Sequence, residues 1–394
     1  MKIAIVVHGR FYAFELARAL IDRGHEVTVF TNYPKWAVQK FGLPARNVRA
    51  FRIHGILARV ADRLGRRLPF LRLESVLHPM FGRWAARNVS KRHWCLLYIF
   101  SGVAEETLRI ADGGCLKTLA RASAHIRAQD QLLAEEETRV GRRVERPSQW
   151  MIEREEREYA LADRIIALST FAGQTFEMYA VPKQKLSQIP LGVETRRFRP
   201  SSCALAERCR RIRHGEPLRV LTVGSLTPRK GLVDFQEVVR SLRGEPFQFR
   251  FVGQVEPWEQ KRVTSAGSVE FIPKQFQFKL PQQYLWGDIF FFPTIEDGFA
   301  VVLAQAFASA LPIVTTTNCS GPDLLREGET GWLVPVRRPD IIAERLRWCN
   351  TNREALARMV ERIYGEFEPR DWNEVAQDFE HLRGNCACEG ANRT

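Results

Sequence analysis

Two cationic side chains, Arg229 and Lys230, follow a predicted strand in the stretch VGSLTPRKG, residues 223–231. Gly231 comes next and precedes a predicted helix. Two cations on a turn before a helix can neutralise a diphosphate. The alternative is a solvent-facing pair at a helix start, but the helix dipole disfavours cations there. The pair is therefore a candidate anion-binding site.

A second group of candidate residues lies in the stretch PTIEDGFAVVLAQAFASALPIV, residues 293–314. Glu296 and Asp297 end a predicted strand, and Gly298 allows the chain to approach a ligand closely. Gln305 lies about two helical turns after Asp297. The acidic pair has a simpler interpretation, which is capping of the helix. The backbone amides that begin the predicted helix and can bind an anion are those of Phe299, Ala300 and Val301.

Both groups fall within a repeating strand and helix pattern. The segments KIAIVV, FYAFELARALIDRG and HEVTVF predict a β-α-β unit at the start of the chain, and LRVLTVGS begins a second series. Two such halves predict an α/β protein with two Rossmann-like domains facing across a cleft, which binds ligands at the carboxyl ends of the strands. The first turn has Gly9 instead of G-x-G-x-x-G, and this disfavours a hydride-transfer cofactor.

The connecting segments give further expectations. The charged residues 135–162 form the longest predicted helical stretch. Residues 194–217 are rich in Arg, Ser and Pro with little apolar periodicity, which predicts a linker between the two halves. Residues 319–335 predict a helix capped by turns, with a structural or indirect role.

The charge of the chain is concentrated in one place. The 394 residues include 59 Lys+Arg and 45 Asp+Glu, a formal net charge of +14. Residues 46–92, called here the basic segment, contain 12 basic and 2 acidic side chains, net +10. Charge alone suggests a nucleic-acid partner, but the sequence lacks a recognition-helix or RNA-binding motif, so no nucleic acid is predicted.

The basic segment also has an apolar pattern. Ile56, Val60, Leu64 and Leu68 recur every four residues among arginines, which is typical of an amphipathic basic helix, although Gly65 and a following proline weaken that helix. One interpretation is the solvated face of an ordinary helix. The other is contact with an anionic membrane or a phosphorylated, lipid-linked acceptor.

Several protein classes are excluded by composition. No segment approaches about 20 uninterrupted apolar residues, and the first apolar run is too short for a signal peptide. We therefore expect a cytoplasmic protein, soluble or peripheral on the inner face of the membrane. Eight cysteines without a C-x-x-C pair support neither a zinc ribbon nor a disulfide framework. Cys386 and Cys388 are a minor candidate metal pair, and no metal or cofactor is predicted.

Three stretches resemble, in their order and spacing, the donor half of retaining GT-B fold glycosyltransferases of family 4, glycosyl transferases group 1. They are VGSLTPRKG, IEDGFAVVLAQAFASALPIV and SGPDLLREGETGWLVP. IPLGVETRRFRP and ADRIIALS resemble other segments of that family, so the likeness covers nearly the whole chain. The resemblance implies an acceptor-binding domain at residues 1–195 and a nucleotide-sugar donor domain at 196–365. A C-terminal helix at about 366–384 is expected to pack back on the first domain.

The resemblance implies roles for particular donor-side residues. Lys230 matches the family lysine that binds the donor diphosphate. The usual arginine position is Ser225, so Arg229 is expected to supply the missing charge. The acids of the family E-x7-E motif fall on Asp297 and Gln305, and Gln305 keeps a carbonyl acceptor for the ribose but loses the charge.

Other donor-side positions follow from the same resemblance. Asp297 or Glu296 is expected to hold donor sugar hydroxyls rather than act as a nucleophile. Ala300 stands where the family has a second glycine. Base recognition is expected through the backbone around Gly253 and near Lys274.

Histidines are the candidates on the acceptor side. The resemblance places His125, at the end of the strand-like LKTLARASA, between acceptor and donor, where it hydrogen-bonds the sugar or assists deprotonation. A buried structural histidine is the alternative. His8, Gly9 and Arg10 form the first βα turn, which resembles the acceptor-side loop of the family.

The implied activity is retaining hexosyl transfer from a UDP-, GDP- or ADP-linked sugar to a glycan or lipid-linked acceptor, in cell-surface polysaccharide or lipopolysaccharide synthesis. Cleavage creates an oxocarbenium-like sugar and a diphosphate leaving group, and His125, Lys230 and Asp297 are the predicted catalytic residues. The sequence contains no D-x-D, which agrees with metal independence. The departures from the family motifs leave a non-catalytic, GT-B-like nucleotide-sugar or glycan-binding protein as the alternative.

Overall fold

The computed structural model describes residues 1–67 and 73–382. Within them the chain forms two parallel sheets covered by helices. The strands are Lys2–Val7 (β1), Glu26–Thr31 (β2), Val48–Ala50 (β3), Leu96–Phe100 (β4), Leu116–Ala120 (β5), Arg164–Ala167 (β6), Leu186–Gln188 (β7), Leu218–Leu226 (β8), Phe247–Val255 (β9), Val269–Pro273 (β10), Ile289–Phe292 (β11), Ile313–Thr316 (β12) and Gly331–Val334 (β13).

The helices alternate with these strands. They are Ala13–Asp22 (α1), Lys35–Gln39 (α2), Arg52–Arg67 (α3), Glu74–Val89 (α4), Glu105–Ile110 (α5), Ile126–Val140 (α6), Gln149–Leu161 (α7), Thr170–Met178 (α8), Thr195–Phe198 (α9), Ser202–Arg213 (α10), Leu232–Ser241 (α11), Pro257–Ala266 (α12), Leu280–Trp286 (α13), Val301–Ala308 (α14), Gly321–Leu324 (α15), Pro339–Thr351 (α16), Arg353–Glu366 (α17) and Trp372–His381 (α18).

The strand order confirms the predicted α/β architecture. The first sheet has the order β3-β2-β1-β4-β5-β6-β7, and the second has β10-β9-β8-β11-β12-β13. Each order reverses once, between β1 and β4 and between β8 and β11. In open parallel sheets the crevice at such a reversal, outside the carboxyl ends of the strands, is where ligands bind.

The sequence explains why the strands at these reversals are buried. β1 is the apolar run KIAIVV and β11 is IFFF, and apart from Lys2 all their side chains are buried. Continuous rather than alternating apolar residues are expected when helices cover both faces of a parallel sheet. Polar residues begin only where these strands end, so the polar groups collect at the rim of the cleft.

The C-terminal helix α18 packs on the first sheet and its helix α1. Arg23 pairs with Glu380 at 2.6 Å, and the ring of Phe379 lies against Tyr98 with centroids 4.8 Å apart. The chain therefore crosses back after the second sheet, and α18 joins the domain in which the chain begins.

The prediction of one long helical stretch at residues 135–162 is wrong. Gly141 adopts a left-handed conformation, φ +66°, and ends α6. The chain restarts a helix only at Ser148, whose hydroxyl caps α7 by accepting from the Met151 amide at 3.1 Å. A glycine stop and a serine cap outweigh the helix-favouring charge pattern.

The prediction of a linker at residues 194–217 is wrong for half of its length. α10 occupies this segment and packs on the second domain, with Cys209 and Ile212 buried. The guanidinium of Arg208 is buried as well and donates to the Ser309 carbonyl at 2.7 Å. An arginine that binds backbone carbonyls fills an interior position that sequence periodicity assigns to solvent.

The helix predicted at residues 319–335 is also wrong for most of that range. Only α15 is helical, and the last residues form the edge strand β13. α15 ends at Leu324, where Leu325 becomes extended, and Gly328 and Gly331, with φ values of +74° and +153°, turn the chain into the strand beside β12.

The basic segment forms α3 and α4. α3 continues through Gly65 to Arg67, so the glycine does not end it. Its exposed apolar residues, between 44% and 68% exposed, lie at spacings of three and four residues and form one stripe. Leu68 and Pro69 lie outside the described residues, as does the side chain of Leu64. We call the following set the apolar stripe: Ile53, Ile56, Leu57 and Val60.

Candidate active site

A cavity of about 340 Å³ lies between the two domains, at the carboxyl ends of both sheets. The loop after β1 contributes Arg10 and Phe11 to its wall, the second domain contributes Arg229 and Gln305, and α18 contributes Trp372. The cavity therefore brings predicted donor-side and acceptor-side residues together in one place.

The turn that carries Arg229 and Lys230 is fixed by one glycine. Residues Pro228–Lys230 form a single 3-10 turn, and Gly231 follows with φ +75°. A Cβ at Gly231 would overlap the carbonyl of Pro293, which lies after β11. Because only glycine fits, the turn packs directly on the loop after β11, and both cations face that loop.

Each of these cations is paired with an acid. Lys230 Nζ lies 2.6 Å from Asp297 Oδ2 and donates to the Glu296 carbonyl at 3.2 Å. Burial lowers the pKa of Lys230, and the charge of Asp297 partly offsets this effect. Arg229 Nε lies 2.8 Å from Glu296 Oε2, and its Nη2 donates to Ser123 Oγ at 3.0 Å.

Glu296 connects the two domains. Its carboxylate is 0% exposed and accepts from Ser123 Oγ at 2.5 Å, the Ala124 amide at 2.9 Å and Gln129 Nε2 at 3.1 Å. Burial opposes ionisation, but the charges of Arg229 and its lysine neighbour, together with these hydrogen bonds, lower the pKa of Glu296 to about 2. The carboxylate is therefore an ionised contact between domains, and its oxygens are already bonded rather than directed at a sugar.

Gly298 is needed for the same contact. A Cβ at this position would lie 2.5 Å from the Cα of Ser123. We expected the glycine to allow a ligand to approach, whereas here it allows the backbone of the other domain to approach.

The helix after this loop begins later than the sequence suggests. α14 starts at Val301, with Ala300 as its N-cap residue. The Phe299 amide donates to Asp297 Oδ1 at 3.2 Å, so the carboxylate already occupies the first of the three predicted anion-binding amides. Phe299 and Val301 still line the cavity.

Gln305 also lines the cavity from the next turn of α14. Its carbonyl oxygen accepts a hydrogen bond from the Tyr284 hydroxyl at 2.9 Å. This contact holds the carboxamide in place and uses one of its acceptor positions.

The remaining donor-side predictions lie along neighbouring strand ends, outside the cavity wall. Gly253 pairs with Gly224, and both have strongly positive φ values, +150° and +147°. A Cβ at Gly253 would overlap the Gly224 carbonyl. Ser225 and Lys274 are exposed near this pair of glycines.

The three residues predicted as a site in the first βα turn do not all lie in the cavity. Arg10 faces the cavity, pairs with Glu15 and donates to Gln277 of the other domain at 3.4 Å. Gly9 has φ +96°, and its amide donates to the Asn32 carboxamide at 2.9 Å. Of these two residues, Arg10 is the one that lines the cavity.

His8 points away from the cavity into a histidine cluster. Its ring centroid lies 5.1 Å from that of His54 and 5.3 Å from that of His78, with Phe81 beside them. Burial first, and then the two neighbouring histidines, lower the pKa of His8 to about 3. The imidazole is therefore neutral and belongs to the core.

His125 is buried rather than exposed in the cleft. It is 2% exposed, its Nδ1 accepts from the Arg127 amide at 3.2 Å, and its ring stacks on Tyr179 at 4.6 Å. Burial, followed by the nearby Arg121, lowers its pKa to about 4. The contacts favour the structural alternative, an N-cap of α6 that supports the loop touching Glu296.

Phe11 is a cavity residue that sequence reasoning missed. It is 59% exposed, has φ +43°, and stacks on Phe100 with centroids 5.3 Å apart. A bulky residue in the left-handed region stores strain, which concentrates at functional sites. Nothing in the sequence marks this conformation, because it depends on the turn that follows β1.

Neither a metal site nor a membrane span is found in the described parts of the chain. No group of three or more His, Cys, Asp or Glu in residues 1–67 and 73–382 could hold a metal ion. Cys386 and Cys388 lie outside those residues. No helix in the same ranges is long and apolar enough to cross a membrane.

Comparison with solved structures defines the class of fold. HepE of Anabaena, solved with UDP and glucose, matches with a TM-score of 0.65 and 16% identity over 98% of this chain and 99% of its own. Sucrose-phosphate synthase from Thermosynechococcus elongatus matches with a TM-score of 0.70 and 18% identity over 98% of both chains. The two facing Rossmann-like sheets are thus the GT-B fold, as predicted.

Sequence comparison then matches part of the chain to a family. Residues 217–352 match the family described as Glycosyl transferases group 1, which confirms the predicted resemblance. A putative colanic acid biosynthesis glycosyltransferase, WcaL of Salmonella typhimurium, is 27% identical over 232 residues, 55% of this chain and 53% of the relative. The chain thus spans about half the length of the curated relatives it matches.

Proposed function

We propose that this protein is a retaining, metal-independent hexosyltransferase of family 4. It moves a hexose from a nucleotide-diphosphate sugar to a glycan or lipid-linked acceptor in cell-surface polysaccharide or lipopolysaccharide synthesis. The observation that carries the proposal is the position of Arg229 and Lys230 at the carboxyl end of β8, beside a cavity shared by two Rossmann-like sheets. The name of the WcaL relative and the UDP bound to HepE support it.

The donor diphosphate exchanges partners with the acids of the site. Phosphate oxygens take the place of Asp297 on Lys230, and Arg229 adds a second charge. Asp297, once released, accepts from a hydroxyl of the donor sugar. Negative charge develops on the diphosphate as the sugar leaves, so these cations bind the transition state more strongly than the ground state.

The stereochemistry follows from which carboxylates are available. Glu296 has both oxygens in hydrogen bonds and is fully buried, so it is not a nucleophile. Asp297 holds a sugar hydroxyl, so the acceptor hydroxyl attacks from the same face, passes its proton to an oxygen of the leaving diphosphate as the sugar–phosphate bond breaks, and gives retention. In this proposal His125 is a positioning residue. It caps α6, and the loop that leads into α6 binds Glu296.

The opposite wall of the cavity is suited to a sugar ring. Phe11 offers an exposed aromatic face, which packs against the C–H groups of a pyranose. Glu15 lines the cavity as well, and within the described residues its buried Oε2 has no hydrogen-bond partner. A sugar hydroxyl supplies the missing donor. An uncharged sugar at the acceptor end is therefore proposed, since Arg10 is already paired with Glu15 and is not free to bind a phosphate.

The apolar stripe of α3 supports contact with an anionic membrane. Arg52, Arg59 and Arg63 are exposed beside it, and His54 and Ala58 on the opposite face are buried. Apolar residues flanked by cations are typical of helices that lie in a membrane interface. Replacing Ile56 and Leu57 by Glu is expected to abolish cosedimentation with phosphatidylglycerol vesicles, and unchanged cosedimentation would rule this contact out.

The proposal keeps the sequence-derived domain limits, 1–195 for the acceptor domain and 196–365 for the donor domain. The separate sheets β1–β7 and β8–β13 support this division, and the contacts of α18 with α1 support the return of the C-terminal helix.

The decisive experiment measures nucleoside diphosphate release from UDP-, GDP- and ADP-linked hexoses, with glycan and lipid extracts as acceptors. The proposal expects release with one donor and incorporation of its hexose into one extract. Binding without release for every donor would instead support the non-catalytic GT-B-like alternative.

A further inference from the structure

A second cavity, of about 230 Å³, lies in the first domain away from the proposed active site. It is bounded by β2, the edge strand β3 and the C-terminal end of α4. Phe30 and Trp94 line it, with Thr28 and Asn88 beside them. Thr28 lies in the first half of β2 and Trp94 precedes β4, whereas the active-site cavity is at the carboxyl ends of the strands.

Three cations converge on this cavity, Arg49, Lys91 and Arg92. Arg92 lies 3.5 Å from Glu26, and both side chains are more than half exposed, so the pair is weak. Among the described residues, Arg49 and Lys91 have no carboxylate partner. The cavity therefore carries positive charge that the protein itself does not neutralise.

A buried hydroxyl gives a second, independent observation. Thr28 is 9% exposed and lines the cavity, yet in the described residues its hydroxyl has no hydrogen-bond partner. The hydroxyl opens on the cavity instead of being enclosed by protein, so its O–H is available to donate to a bound group. Asn88 lines the same cavity and donates one N–H of its amide to the Trp84 carbonyl at 2.7 Å, so its second N–H, rather than its carbonyl oxygen, is available to an anion.

The helix dipole explains only part of this arrangement. Lys91 and Arg92 follow the C-terminus of α4, where cations are favoured without any ligand. Arg49 comes from a strand and Thr28 from its neighbour, and neither lies at a helix end. Cations from two separate elements around a buried hydroxyl are suited to an oxyanion with several acceptor oxygens.

We propose that this cavity binds a phosphate group, as a site separate from the donor diphosphate site. Arg49, Lys91 and Arg92 neutralise the phosphate, and the Thr28 hydroxyl donates to one of its oxygens. The phosphate belongs either to a free phosphate compound or to the headgroup of a phospholipid. The proposal goes beyond the transferase function and does not depend on it.

The test uses the full chain with Lys230→Ala, so that the donor site does not contribute. Pyrophosphate binding is measured by calorimetry at low ionic strength, and vesicle binding by cosedimentation with phosphatidylglycerol and with phosphatidylcholine. Arg49→Gln with Lys91→Gln is expected to weaken binding at least about tenfold, the scale of two charge-assisted contacts. Thr28→Val, which conserves volume, is expected to weaken it about fivefold.

The matched control removes the same charge from the same segment. Arg83 and Arg87 are exposed on α4 and lie outside the cavity wall, so Arg83→Gln with Arg87→Gln is expected to change binding less than twofold. Pyrophosphate binding that follows this pattern identifies a free phosphate, whereas the same pattern seen only with phosphatidylglycerol identifies a headgroup. Equal losses in both double variants, or no binding in either arm, would overturn the proposal. Melting curves of each variant show that the fold is retained, and nucleoside diphosphate binding measured with Lys230 intact tests the donor site separately.

Discussion

The two domains differ in whether their cationic side chains have carboxylate partners. In the second domain, Arg229 and Lys230 each have an acid within 2.8 Å and 2.6 Å. In the described part of the basic segment, Arg92 is the one cation with a carboxylate partner, and that partner is 3.5 Å away. Paired cations in a narrow cavity select a small anion that displaces their acids, whereas unpaired cations on a surface attract any extended anion and are screened by salt.

The loops that carry the site differ in the same direction, although elsewhere the second domain exposes Phe276 and Phe278. The first domain leaves Phe11 open in the cleft and the apolar stripe open on α3. The loop after β11 in the second domain instead buries Glu296 and Phe299. This contrast predicts a compact, highly charged ligand on one side and a larger amphiphilic ligand on the other.

The largest expected effect is at the contact that joins the two domains. Glu296→Ala leaves Arg229 with an unpaired charge and removes the acceptor for three groups of the first domain. Breaking a buried ion pair costs about 3–5 kcal/mol of unfolding free energy, and the lower end is expected here because the Arg229 side chain is 33% exposed. Denaturant unfolding measures the loss, and Glu207→Ala, which removes an exposed pair with Arg210, is the control with little expected change. A loss in Glu296→Ala no larger than in this control would mean that the domains do not depend on this carboxylate.

Lys230→Ala tests the donor side of the comparison. Transfer is expected to fall at least about 100-fold, the scale of losing one group that stabilises the leaving charge. Nucleoside diphosphate release measures this effect, and the exposed Lys261→Ala is the matched control. If Lys230→Ala turns over at the wild-type rate, Lys230 does not bind the donor diphosphate.

Phe11→Ala tests the acceptor side. Loss of an aromatic platform is expected to raise the acceptor KM about threefold to tenfold, without changing nucleotide affinity. Trp36→Ala removes a similarly exposed aromatic ring outside the cavity wall and should leave both parameters unchanged. If Phe11→Ala weakens nucleotide binding instead, Phe11 does not belong to the acceptor side of the cavity.

The histidine cluster makes the first domain sensitive to mild acid. The pKa of His8 is lowered from 6.5 to about 3, so below pH 6.5 the unfolded chain binds a proton that the folded chain does not. The stability linked to His8 is therefore present above pH 6.5 and falls by about 1 kcal/mol near pH 5.5. The stability linked to Glu296, in the other domain, is fully present above about pH 4.5 and is lost as the pH falls from there toward 2, because its pKa is lowered from 4.5 to about 2. Melting curves of the wild type and His8→Asn separate these windows, and an equal pH dependence in both proteins would exclude His8.

The smallest effect is expected at Gln305. Gln305→Glu restores a charged acceptor for the ribose hydroxyls and should tighten nucleotide binding about fivefold, since hydrogen bonds to charged groups are stronger. The gain should vanish for the dideoxy form of the same nucleotide. A gain that persists with the dideoxy nucleotide would show that Gln305 does not face the ribose.

Local patterns were sufficient for the parts of the fold that repeat. The apolar runs of β1 and β11 predicted buried parallel strands, and the turns after β8 and β11 marked where polar groups collect. These predictions succeed because burial on both faces requires continuous apolar residues. The segments that failed, residues 194–217 and 319–335, depend on long-range partners such as the carbonyls that bind Arg208.

The residue types of the site are readable in the sequence, but their roles are not. Asp297 and Gln305 are close because one turn and one helix separate them, whereas Lys230 lies 67 residues earlier in the chain and reaches Asp297 because β8 pairs with β11. Whether a side chain faces the cavity depends on the other domain. Glu296 is buried because the Ser123 loop packs on it, and His125 is buried by aromatic rings of its own domain.

The sequence by itself therefore determined the two-domain architecture, the cationic turn and the concentration of charge in the basic segment, because each depends on neighbours along the chain. Only the tertiary structure decided which acids are bonded, which histidines are buried and that Phe11 is open in a strained turn. Those properties arise where the domains and strands meet, and burial and hydrogen bonding there are set by residues distant in sequence.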